Sequence, residues 1–103
     1  MADAGVCLDV EDPHMSNVPR LSFFCGISIY MYPGDHNPPH FHVVYAEFSA
    51  QILVSSGELM NGRLPRRAER LVNEWWAVHR REIFRAWMLM QNGNTVEAIE
   101  PLR

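Results

Sequence analysis

The chain has 103 residues, is 48% hydrophobic and carries a formal charge of −3. That length suits one small domain able to bury a modest core without help from metal or disulfide. It excludes a membrane-spanning helix, since no apolar run approaches the roughly 20 residues required, and no basic segment followed by an apolar one marks a secretory signal.

The charge is unevenly spread. Residues 1–14 hold Asp3, Asp9, Glu11 and Asp12 with no Lys or Arg, which leaves +1 for residues 15–103. They show no periodicity and end in Pro13-His14-Met15. This stretch is expected to be a vector-derived or disordered leader, with Met15 as the natural start and residues 15–103 as a single domain. All nine basic residues are arginine, and Cys7 and Cys25 are the only cysteines. Two free thiols in a reducing cytosol is the simpler expectation.

From Leu21 to Tyr32 apolar residues alternate. Phe23, Cys25, Ile27, Ile29 and Met31 oppose Phe24, Gly26, Ser28, Tyr30 and Tyr32. A period of two predicts one strand with an apolar face. Tyr32-Pro33-Gly34-Asp35 reads as a turn, and Asn37-Pro38-Pro39 as an extended segment, because the residue before a proline avoids the α region.

Phe41 to Glu47 predicts a second strand and Phe48 to Val54 a third, joined by a short turn at Ala46-Glu47. Glu58 to Asn61 is a short fourth. Pro65 suits a helix start, and Ala68, Val72, Trp75, His79, Ile83, Ala86 and Met90 form one stripe at helical spacing. A helix from Pro65 to Gln91 would be about 40 Å long, so a kink or break is expected near His79-Arg80. Thr95 to Glu100 has strand character and is placed to return to the sheet. The fold class is α+β: a small antiparallel sheet of four or five strands, covered on one face by one kinked helix or two helices.

Three of the five histidines, His36, His40 and His42, fall within seven positions around Pro38-Pro39. Strand geometry sends His40 and His42 from one face. With His36 and Asp35 they form a candidate site for a divalent metal such as zinc, manganese or nickel. Ser28, Tyr30 and Tyr32 would floor it if the strands pair. The competing reading is a turn that hydrogen-bonds to itself, with ordinary surface histidines. Metal-free acid–base cleavage of RNA is a third use, but no catalytic residue is identifiable. Gly34, His40, His42 and Glu47 approach the spacing of the first cupin metal motif. The second motif is missing, because the chain beyond is helical and arginine-rich, which argues against a jelly roll.

Residues 63–85 hold seven arginines against three glutamates, a local charge of +4. Arg66, Arg67, Arg70, Arg80 and Arg81, with Trp76, are the candidate contacts to nucleic acid or a partner. The alternative is a solvated helix face with i,i+4 pairs, and a Trp76 that widens the buried stripe.

Phe23-Phe24-Cys25-Gly26-Ile27, then Tyr32 and Gly34 through Val43, then Leu64-Pro65, Trp75, His79, Trp87 and Ile99-Glu100-Pro101-Leu102 together resemble a known family. It is the bacterial domain-of-unknown-function family four-one-six-zero (DUF-4160), and the resemblance spans about residues 20–102. The chain departs from the pattern in lacking glycine at Ala46-Glu47 and in its acidic leader. The resemblance implies a small cytoplasmic protein encoded beside another small domain, in a toxin–antitoxin-like arrangement with a protein partner and RNA or DNA as a target. It assigns no role to any residue.

Two functions are therefore expected in competition. One is a small bacterial interaction module, toxin–antitoxin-like, binding a partner protein, nucleic acid or a second copy of itself. The other is a histidine-cluster metal-binding domain with hydrolytic or nuclease activity.

Overall fold

The computed structural model describes residues 20–102, so the leader expected at residues 1–14 lies outside the described residues. Five strands form one antiparallel meander in the order β1-β2-β3-β4-β5. They are β1 (Arg20–Phe24), β2 (Ile27–Tyr30), β3 (His40–Tyr45), β4 (Phe48–Leu53) and β5 (Leu59–Gly62), followed by one helix, α1 (Arg66–Gln91). The α+β class is as expected. The simple strand order also separates the fold from a jelly roll.

One expected strand is two. Phe24-Cys25-Gly26-Ile27 closes a two-residue hairpin, with Cys25 at φ 52 and Gly26 at φ 77. Positive φ at both central residues gives the turn whose twist matches its flanking strands. The reversal resets the alternation. Phe24 pairs with Ile27 and is buried, whereas Phe23 pairs with Ser28 on the opposite face. An apolar run on both sides of the turn hid it, because cysteine is an unusual residue for that position. Cys25 is disulfide-bonded, which corrects the free-thiol expectation; its partner lies outside the described residues.

The remaining register follows the pleat. Ile27 faces Tyr45, Ile29 faces Val43, and Phe41 faces Ile52. These residues make one apolar face, on which Trp75 of α1 sits, 5.8 Å from Phe24 and 5.7 Å from Phe41 between ring centres. The opposite face carries Ser28, Tyr30, His42, Val44, Ser49 and Gln51.

The helix keeps the predicted stripe, burying Ala68, Val72, Trp75, Ile83, Ala86, Trp87 and Met90. His79 leaves the helical region at φ −115, ψ 16 and kinks it. There a polar ring interrupts the apolar series, and its Nδ1 is bonded to Glu82 at 2.6 Å. After the helix, residues 95–102 form no strand, contrary to expectation. They are tied to β1 by the Ile99 N–H to the Leu21 carbonyl at 2.6 Å, and to α1 by the Trp75 Nε1–H to the Glu100 carbonyl at 2.8 Å. These bonds tether the segment, but it lacks the continuous ladder of a strand.

Candidate metal centre

The loop after β2 folds back toward the start of β3. Gly34 takes φ 88, and the Asp35 N–H reaches the Tyr32 carbonyl at 3.4 Å. Gln91 at the end of α1 donates its Nε2–H to the Asp35 carbonyl at 3.1 Å. A turn and a helix terminus thus fix the Asp35 backbone, and its carboxylate lies against β3.

There it meets two imidazoles. Asp35 Oδ2 is 2.9 Å from His42 Nε2 and 3.5 Å from His40 Nε2. Asp35, His40 and His42 each bring one ligating atom to a group spanning no more than 4.8 Å. His36, although only one residue from Asp35, is exposed and lies outside the group. The expected trio of imidazoles is therefore a pair of imidazoles with a carboxylate. The pleat governs His40 and His42, but nothing in a turn enforces a direction on His36.

Outer contacts fix the rings. His40 Nδ1 lies 2.8 Å from the Pro38 carbonyl, which can only accept, so the proton sits on Nδ1. Its Nε2 then faces the Asp35 oxygen. Trp87 of α1 covers His40 with 5.4 Å between ring centres, leaving it 6% exposed. Tyr32 meets the His42 ring edge-on at 4.5 Å and stacks on Tyr30. Burial raises the Tyr32 phenol above its ordinary pKa, with Tyr30 and Asp35 adding to the shift, so it remains a hydrogen donor at neutral pH.

The expected floor of tyrosines is present, whereas Trp87, Gln91 and the Pro38 carbonyl carried no sequence signal for this site. Trp87 reads simply as a stripe residue, and a Gln at a helix end resembles any solvated polar residue. Beside His42 the sheet opens into a cleft of ≈ 240 Å³ whose lining includes Tyr32, Val44, Ser49, Gln51 and Asn61. None of these is charged.

The arginines do not gather in the same way. Arg66, Arg67 and Arg70 lie before the kink, Arg80 and Arg81 after it, and all five are exposed. Arg70 is 3.9 Å from Glu74, and Arg80 stands 5.7 Å over the Trp76 ring. Trp76 is half-buried. Its Nε1–H donates to the Val54 carbonyl at 2.7 Å, and its ring lies where a side chain on Gly57 would collide at 2.8 Å. It therefore anchors the β4–β5 turn as well as presenting an edge to solvent.

The family described as Domain of unknown function (DUF4160) matches residues 26–88. The chain belongs to this family. Its matched region holds β2 to β5, Asp35, His40, His42 and Trp87, but not Gln91. No curated protein and no solved structure matches the chain. Among the described residues, no helix is long and apolar enough to cross a membrane.

Proposed function

We propose that this DUF4160 domain binds one divalent transition metal through His40, His42 and Asp35. The observation that carries the proposal is the convergence of His40 Nε2 and His42 Nε2 on one Asp35 oxygen, at 3.5 and 2.9 Å. Around a tetrahedral ion with bonds of roughly 2.1 Å, ligand atoms stand about 3.4 Å apart. The Asp35 oxygen stands 2.9 and 3.5 Å from the two ring nitrogens, and the three atoms lie within 4.8 Å of one another, close enough to share one ion after small adjustments. The His40 Nδ1–H bond to a backbone carbonyl supplies the outer-shell orientation that ligating imidazoles usually have.

Two imidazoles and a carboxylate suit zinc first, then manganese or nickel. Three protein ligands leave at least one position open, and a metal there would supply an activated water for hydrolysis. Tyr32 would offer its phenolic hydrogen beside that position. The uncharged cleft next to His42 favours a small neutral substrate over a phosphate.

Protein freed of any affinity tag tests the reading. Elemental analysis and calorimetric titration should give near one zinc, manganese or nickel per chain, lost in the His40→Ala, His42→Ala double variant and kept in His36→Ala. Absence of stoichiometric binding for all three metals sinks the proposal.

A second reading, an interaction module of toxin–antitoxin type, draws on the exposed arginines and on large apolar side chains exposed along α1. Its wider test is association with nucleic acid or partner protein that weakens with salt and with loss of Arg66, Arg67 and Arg70.

A further inference from the structure

Beyond the kink, α1 exposes Phe84 and Met88 to 49% each. Beside Phe84 lies a groove of ≈ 490 Å³, lined by Pro39, Val54, Ser55, Arg80, Arg81 and Phe84. Its floor is apolar and its rim is basic. The rim is also pre-positioned. Arg80 rests over Trp76, which is itself fixed by its bond to Val54. A side chain already held in place loses less freedom when it binds.

Among the described residues, no carboxylate forms an ion pair with Arg80 or Arg81. Between residues 78 and 88 the one carboxylate is Glu82, and it takes His79 Nδ1 at 2.6 Å. Arg80, Arg81 and Arg85 share that stretch. A phosphate backbone would gain nothing from the apolar floor, whereas large side chains fill it and carboxylates complement the rim. We infer that this groove docks an acidic peptide segment of a partner protein, with one or two large apolar side chains in the groove and carboxylates on Arg80 and Arg81. The site is independent of the metal reading. It rests on the interaction reading and narrows it to one patch and one partner chemistry.

Selection from a random 12-residue peptide library displayed on phage tests this. Enriched sequences should carry Asp or Glu flanking Leu, Phe or Trp. A synthetic peptide of the enriched type should bind about tenfold more weakly to Arg81→Glu and to Phe84→Ser. Both positions are exposed, and thermal melts verify that each variant folds. Amide shifts on binding should centre on Val54, Arg81 and Phe84. No enrichment, enrichment without acidic bias, or binding unchanged in both variants overturns the inference. So does concentration-dependent dimerisation abolished by Phe84→Ser, which would assign the groove to a second copy. Binding of a 12-nucleotide uridine-rich RNA that needs Arg66, Arg67 and Arg70 but ignores Phe84 and Arg81 would overturn the groove while sparing the interaction reading.

Discussion

The histidine loop and the arginine helix look alike in the sequence: each is a dense run of one functional side chain. They fold to opposite outcomes. Asp35, His40 and His42 bring ligating atoms within 4.8 Å of one another. Arg66 and Arg81 lie 15 residues apart on a kinked helix, roughly 22 Å along its axis. The pleat repeats every two residues, so neighbours at i and i+2 aim together, and a returning turn adds a third group. A helix rotates its neighbours away and spaces them along its length. Density in a sequence becomes convergence only where the backbone repeat is short or the chain turns back.

The largest expected effect tests whether the helix acts first as a packing element. Trp75 is fully buried against Phe24 and Phe41 and also bonds to the C-terminal segment. Trp75→Ala should cost about 3–5 kcal/mol in urea unfolding, because it leaves a cavity and removes the bond to the Glu100 carbonyl. A loss below about 1 kcal/mol would mean the helix contributes little to the core.

The second prediction sharpens the loop side. With zinc at about 100 times its Kd, the folded state should gain about 2.7 kcal/mol, read as a raised melting temperature. His42→Ala should abolish that gain and His36→Ala should keep it. Equal losses in the two variants would restore His36 to the group and erase the asymmetry described above.

On the helix side, Arg66→Ala and Arg70→Ala should each change stability by about 0.5 kcal/mol or less. Arg70 and Glu74 are both more than half exposed, and such pairs contribute little. A larger cost would show that these side chains hold the fold and are not spare contacts.

The smallest effect concerns Tyr32. Its pKa is raised in the folded state, mainly by burial. Above the unfolded value of about 10 the folded state therefore binds more protons than the unfolded one, and stability falls as pH rises. The contribution is fully present below about pH 10 and is lost as pH climbs through the folded value. Melts between about pH 9 and 11 should decline more for the parent protein than for Tyr32→Phe. Parallel curves would remove burial as a constraint on that phenol.

Much of the fold was legible from local repeats. The alternation through β3 and β4 fixes which face is apolar, since a slip of one residue would expose Phe41 and Val43 to water. The 3.6-residue stripe of α1 marks Ala68, Val72, Trp75, Ile83, Ala86 and Met90 as buried, and all six are. His79 marks the kink because it is the polar member of that series. The same local rule failed at Cys25-Gly26. Apolar side chains continue on both sides of the turn, and only a positive φ at a non-glycine residue distinguishes a hairpin from one long strand.

The site divides along the same boundary. That His40 and His42 share a strand face follows from their spacing alone, because pleating is a property of the backbone. Tertiary structure alone decided that Asp35 would join them and His36 would not, since a turn of glycine and prolines can end in several directions. That choice depends on contacts distant in the chain: Gln91 reaches Asp35 across 56 positions, and Trp87 closes over His40. Short-range periodicity can set the direction of a side chain within one element, but only packing between elements can bring separate ones to a common point.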